Sequence, residues 1–272
     1  KPSRGRVSPG PAGDKFNGIA TNGPIGRTVA DAAALLDVMS GNVAGDPYYL
    51  PSPECSFLEA SKQQPGHLRI AYSTKFLPIG EADATCKQAV LQTVKLLEDL
   101  GHTVEENCPD FSGLIEPFQI IWRNGVAAGG IPPEMLQPVN RWLMSKTDSA
   151  VDYLKAVAKM QIVSRQIVSF FDNFDVLLMP VFLHSPIRVG EWSHLSPEDI
   201  FENILQWVAP CPPANATGQP AIAIPVGFDS KGLPMSVQFV GKPAAESTLI
   251  RLAAQLETAQ PWILRRPNLD NI

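Results

Sequence analysis

The sequence is short of charge and of paired cysteines, and it has no long apolar run. Asp, Glu, Lys and Arg make up 18% of its 272 residues, against 44% hydrophobic residues. A chain of that composition folds around a core rather than staying disordered. Its 22 basic and 27 acidic residues leave a net charge of −5, and the longest basic run is Arg265-Arg266. With no basic stripe to neutralise phosphates, nucleic acid is not an expected partner. No apolar run approaches the ~18 residues that would cross a bilayer, so a membrane is not expected either. The four cysteines, Cys55, Cys86, Cys108 and Cys211, form no C-x-x-C pair, which argues against a structural zinc site. With no signal peptide visible, they read as reduced thiols of a cytoplasmic protein. The sequence opens Lys1-Pro2-Ser3 without an initiator Met, and the expectation is that something belongs in front of it.

The common catalytic motifs are missing too. There is no G-x-x-x-x-G-K, since Ser236 stands where the first Gly of a run ending Gly241-Lys242 belongs. There is no G-x-G-x-x-G after a strand, no G-x-S-x-G elbow and no S-x-x-K pair. Of His67, His102, His184 and His194, only His184 follows a strand, where α/β enzymes place function. A triad with Asp175 and Ser185 fails on spacing, because adjacent side chains on an extended chain point apart. His184 therefore reads as a loop residue beside a pocket. The acidic pair Glu198-Asp199 opens a helix, where negative charge suits the dipole.

What is present is an alternating pattern of helices and strands. Gly26 to Gly41 reads as a helix, with Thr28 as N-cap and Asp31 three residues on. Lys1 to Gly23 and Val43 to Gly66 read as irregular connections. Leu68 to Ser73, Asp83 to Leu100 and His102 to Glu106 form a strand–helix–strand unit. Gly113 to Phe174 looks helical, broken at Gly129-Gly130 and Pro132-Pro133, with Asp148 to Phe171 as the longest helix. Asp175 to Val181 has the composition of a central strand that ends at Pro180. Pro197 to Val208 is a helix capped by Ser196. Ala221 to Gly227 and Met235 to Gly241 are strands joined by the turn Asp229-Ser230-Lys231-Gly232. Ala245 to Glu257 is the last helix. The fold class is α/β, with a mixed central sheet flanked by helices.

Three stretches, in order, carry a resemblance. They are KPSRGRVS (Lys1 to Ser8) continued by GIATNGPIGRTVADAAALLDVMSG (Gly18 to Gly41) and GDPY (Gly45 to Tyr48); DNFDVLLMPV (Asp172 to Val181); and NATGQPAIAIPVGFDSKGLPMSVQFVGKPAAESTLIRLAAQLE (Asn215 to Glu257). Together they resemble the amidase-signature hydrolases. The resemblance implies one domain over residues 1–272, the C-terminal part of an amidase-signature domain and hence an incomplete form of that fold. Residues 113–174 would be its variable, substrate-side helical region.

The resemblance implies an amidase that converts a linear carboxamide to a carboxylate with release of ammonia or an amine. That family uses a Ser–cis-Ser–Lys triad and no metal or organic cofactor. Its Lys and both Ser lie upstream of the block that KPSRGRVS resembles, so no catalytic residue carries over and the chain alone is expected to be inactive. What carries over is a set of candidate pocket residues: Trp122, Met179, Phe182, His184, Trp207, Asn215, Thr217 and Gly218. Each is also readable as ordinary core or loop. Arg27 and Asp31 read as structural, four residues apart on one helix face. The expected partner is a small-molecule amide. Without the upstream part, apolar faces would be uncovered and the chain marginal, so a homodimer would be a symptom of that exposure. The alternatives are a catalytically dead remnant or partner-binding subunit, and an amidotransferase A-type subunit.

Overall fold

The computed structural model describes residues 1–266. Its helices and strands, in chain order, begin with α1 (Val29–Met39), α2 (Phe57–Ala60), β1 (Arg69–Tyr72), β2 (Lys75–Phe76), β3 (Gly80–Glu81), α3 (Ala84–Asp99) and β4 (Thr103–Glu106). Next come α4 (Ile115–Ala128), α5 (Pro138–Met144), α6 (Ala150–Ser169), β5 (Val176–Pro180), α7 (Pro197–Val208) and α8 (Pro212–Ala216). The last are β6 (Ala221–Phe228), β7 (Pro234–Gly241) and α9 (Glu246–Ala259).

Five strands make a mixed sheet in the order β4-β1-β5-β7-β6. β4 and β5 lie parallel to β1 on either side of it, and β7 runs antiparallel to both β5 and β6. β2 and β3 form a separate small hairpin. The alternation of side chains along each strand decides which layer it faces. Ile70, Val176, Leu178, Val237 and Phe239 pack under α1, α2, α3 and α9. Ala71, Leu177, Met179 and Val240 face the opposite way, against α4, α6 and α8. Helices thus cover both faces of the sheet, as parallel strands require.

Local chemistry sets several boundaries. Thr28 and Asp31 close a reciprocal capping box on α1. Ser149 and Ser196 accept the N–H three residues on and start α6 and α7. The helical stretch 113–174 has an extra break at Lys146–Ser149, where Asp148 turns back to bond Arg123 and Asn124 on α4. α2 lies inside the stretch that reads as an irregular connection. Its N–H groups at Phe57 and Leu58 are capped from a distance by the Asp37 carboxylate of α1. Among the described residues, no helix is long and apolar enough to cross a membrane. Nor is there a His, Cys, Asp and Glu cluster able to hold a metal ion.

Candidate functional site

Two ends of the sheet carry polar structure. At the first, beyond the C-terminal end of β5, Asp83 is the organising residue. One of its carboxylate oxygens caps α3 at the Cys86 N–H (2.7 Å), and the other accepts the Ser185 N–H at 3.0 Å. Burial raises the Asp83 pKa, but the N–H groups of Cys86 and Ser185 outweigh it and hold the carboxyl below its usual range. The loop after β5 is then fixed to α7. Leu183 N–H donates to the Trp207 carbonyl at 3.0 Å, and the Trp207 indole N–H donates to the His184 carbonyl at 3.0 Å. The rings of Phe182 and His184 lie on Trp207 at 4.9 and 5.6 Å.

Among the described residues, no carboxylate is hydrogen-bonded to the His184 ring. Its Nδ1 lies 2.9 Å from the Ser185 carbonyl. Asp175 sits at the other end of β5, where it accepts the Arg69 N–H and pairs with Lys242 at 2.9 Å. The imagined Asp175–His184–Ser185 triad is therefore absent.

The second end lies at the start of β6, and Arg4 organises it. Its Nε donates to the Gly18 carbonyl at 2.7 Å, and one Nη donates to the carbonyls of Asn215 and Ala216 at 2.9 and 3.0 Å. Its own N–H donates to the Gly218 carbonyl at 2.9 Å. Asn215 completes the clamp by donating its amide to the Ile19 carbonyl at 2.9 Å. The arginine threads between two glycines in left-handed conformation, Gly18 (φ +76) and Gly218 (φ +76). A Cβ on Gly18 would stand 2.5 Å from Arg4 Nε, so glycine is required there for space and for backbone conformation.

Beside the clamp is a polar cleft of about 140 Å³, lined by Arg4, Ser8, Asp14, Lys15, Asn22 and Tyr48 among others. Arg4 also stacks over the Tyr48 ring at 5.5 Å. Burial pushes the Arg4 pKa down and that of Asp14 up. The rim is strained: Phe16 and Asn17 hold φ of 54 and 53, at a cost of order 1–3 kcal/mol each. The Phe16 ring fits a slot at Gly125 of α4, where a Cβ would come within 2.2 Å of it. Lys1 lies next door, donating to the carbonyls of Pro2 and Gln219 at 2.8 Å. Burial, with Arg4 nearby, pushes the Lys1 side-chain pKa down to about 7.

The eight candidate pocket residues do not meet in one cavity. Phe182, His184 and Trp207 form the stack beyond β5. Asn215, Thr217 and Gly218 belong to the clamp at the opposite end, where Thr217 donates its hydroxyl to the Pro213 carbonyl. Met179 is buried in the sheet. Trp122 packs edge-on against Phe118 and Phe201 at 5.6 and 6.4 Å. An apolar cavity of about 50 Å³ lies under α4 between Phe76, Phe111, Phe118, Leu205 and Pro213, and it is lined by none of the eight. Arg27 and Asp31 do not pair with each other. Asp31 is committed to the capping box, and Arg27 donates to the carbonyls of Ile263 and Arg265. Arg4 and Tyr48 are the residues that sequence reasoning passed over. Their signal was present: both sit in the first resembling stretch, and the glycines that receive Arg4, Gly18 and Gly218, lie within the first and third.

The architecture defines an α/β protein with helices on both faces of a mixed sheet, and comparison with known proteins gives its family. The Amidase family model matches residues 1–250, and the chain belongs to that family. A putative amidase of Synechocystis sp. is 54% identical over 257 residues, covering 94% of this chain and 51% of that protein. The 6-aminohexanoate-cyclic-dimer hydrolase of Paenarthrobacter ureafaciens is 31% identical over 299 residues, covering all of this chain and 60% of the relative. The chain thus spans about half to three-fifths of these relatives' length. A solved structure of 6-aminohexanoate cyclic dimer hydrolase superposes with a TM-score of 0.90 at 29% identity, over 98% of this chain and 61% of the other. A bacterial aryl acylamidase of the amidase-signature family (TM-score 0.78, 21% identity) has the same fold.

Proposed function

We propose that the protein carrying these residues hydrolyses amide bonds, turning a linear carboxamide into a carboxylate with release of ammonia or an amine. In this reading the reacting groups are a Ser–cis-Ser–Lys triad outside the 272 residues, and the chain alone is inactive. The Lys draws a proton through the bridging Ser, the second Ser attacks the carbonyl, and water later releases the acyl group. Residues 1–272 form the C-terminal part of one domain, with 113–174 on the substrate side. No metal or organic cofactor takes part. A cytoplasmic location belongs to the same reading, supported by four unpaired cysteines.

The observation that carries the proposal is the Arg4 clamp. It joins Lys1–Ser8, the block that in the family follows the nucleophile, to the loop Asn215–Gly218 from the third resembling stretch. Family membership supports the reaction class. The cleft beside the clamp is where the reacting carbonyl would approach. Mass spectrometry of the full-length protein, quenched during turnover of a carboxamide, tests this. The expected result is an acyl adduct on a serine outside residues 1–272. An adduct on Ser3 or Ser8, or turnover with no adduct under conditions that trap acyl-enzymes, would contradict it.

A further inference from the structure

The β6 edge of the sheet carries the start of a ladder that stops after one pair. β6 is the last strand in the order β4-β1-β5-β7-β6. The Lys1 backbone nitrogen donates to the Ala221 carbonyl at 2.8 Å, and the Ala221 N–H donates to the Lys1 carbonyl at 2.9 Å. Two residues that exchange both bonds form a hydrogen-bonded pair of an antiparallel ladder. After Lys1 the chain leaves this edge for the start of α9. There the Ser3 N–H donates to Glu246 at 2.8 Å, and the Ser3 hydroxyl accepts the Ala244 N–H at 3.1 Å. An antiparallel partner of β6 therefore extends backwards from Lys1, and the second residue before Lys1 falls opposite Ala223.

The backbone of β6 leaves room for that partner. The Pro220 carbonyl accepts the Gly241 N–H at 3.0 Å, so Pro220, Ile222 and Ile224 turn their backbone groups to β7. Ala221 and Ala223 turn theirs outward. Ala223 is exposed and faces no strand among the described residues. Pro225 faces the same way but has no N–H, and the register shifts between it and Gly227, so the open ladder is short.

Alternation also decides what the added strand must carry. Ile222 packs with the core layer of α1 and α9, whereas Ala221 packs with the opposite layer. The residue directly before Lys1 falls opposite Ile222 and shares its face. On that face an apolar groove of about 60 Å³ lies between β6, α1 and α9, with Val29, Ala33, Leu36, Ile222, Leu249 and Ile250 in its walls. Its charged lining groups are committed. Glu246 holds the Ser3 N–H and pairs with Arg6 at 3.4 Å, and the Lys1 ammonium donates to two carbonyls. The groove thus calls for an aliphatic side chain rather than a polar ligand. The chain spans 51% of the Synechocystis relative and 60% of the cyclic-dimer hydrolase, so those proteins have ample sequence beyond the matched part.

We propose that, in the full-length protein, the residues immediately before Lys1 form a sixth strand of the sheet, antiparallel to β6 in this register. The residue directly before Lys1 is aliphatic and fills the groove. The proposal concerns the sheet and not the reaction, so it stands or falls apart from the hydrolytic reading.

Hydrogen exchange of the full-length protein, read residue by residue by mass spectrometry, tests whether the edge is occupied. The Ala223 amide is expected to exchange about a hundredfold or more slower than a free amide. Exchange at the free rate, or a charged residue directly before Lys1, would overturn the proposal. Protection that is lost on dilution would assign the edge to a second copy and overturn it too. Cysteine pairing then identifies the occupant and its register. The Cα atoms of a hydrogen-bonded antiparallel pair stand about 5.5 Å apart, inside the range that a disulfide spans. Ala223→Cys should therefore form a disulfide with a cysteine placed two residues before Lys1, and none with one placed five residues before it. A protected Ala223 amide without that disulfide would mean that another segment covers β6, and the assignment would fail.

Discussion

Arg4 shows how one side chain joins distant parts of the sequence. It donates to carbonyls at Gly18, Asn215 and Ala216, and the fit depends on Gly18 having no Cβ. Gly18→Ala would add strain at φ +76 and press on the guanidinium. The expected loss is about 2 kcal/mol or more of stability in the full-length protein. Urea unfolding measures it, and a variant as stable as the parent would contradict the clamp. The thiols give a second test at this scale. Burial pushes Cys86 up to about 12, with Asp83 adding to the effect, and Cys108 and Cys211 up to about 11. At pH 8 these thiols stay protonated. Their alkylation by iodoacetamide should be about a hundredfold slower in the native protein than in urea. Mass spectrometry of trapped peptides reads the rates site by site, and rapid native labelling of Cys211, which is half-buried, would contradict its raised pKa.

Among the elements, α3 has a cap that also holds a distant loop. Asp83 starts the helix and also holds Ser185 of the loop after β5, so its loss disturbs both. Asp83→Ala should cost about 1–2 kcal/mol at pH 7. The folded-state pKa is depressed, so the carboxylate's contribution is complete above the unfolded value of about 4 and is lost as pH falls through the folded one. The gap between parent and variant should therefore narrow below about pH 4, and a gap that widened in acid would contradict the assignment.

The same element shows why the helices and central strands are legible in the sequence. A capping Asp, helical spacing of Ala89, Val90, Val94 and Leu97, and a following Gly101 are all local signals. The αβ alternation, the capping box of α1 and the β6–β7 turn are legible for the same reason. The four-residue α2, the two-residue strands of the β2–β3 hairpin and the five-residue α8 are not, because they are too short to show a periodic pattern. Asp37 caps α2 from twenty residues upstream. The site is harder still. Asn215 is fixed by a carbonyl 196 residues away, and His184 by a tryptophan ring 23 residues on. No spacing rule encodes such meetings. The block resemblance names the segments, yet it does not say that they gather at two ends of the sheet.

At the scale of the whole molecule, the sheet has β4 at one edge and β6 at the other. The β6 edge is partly covered: Lys1 and Ala221 exchange backbone hydrogen bonds at 2.8 and 2.9 Å, and Pro225 removes a donor further along. Large apolar side chains that remain exposed, such as Ile25, Val38 and Tyr49, are spread along connections and helices. The described residues thus make a scaffold with a clamp and a polar cleft. Under the proposed function, these residues support amide hydrolysis without performing it. The direct test compares ammonia and amine release from a panel of linear carboxamides by the full-length protein and by the 272-residue polypeptide, each checked for helix content by circular dichroism. The expected result is turnover by the full-length protein and none by the polypeptide. Turnover by the folded polypeptide, or a folded full-length protein that leaves the whole panel intact, would contradict it.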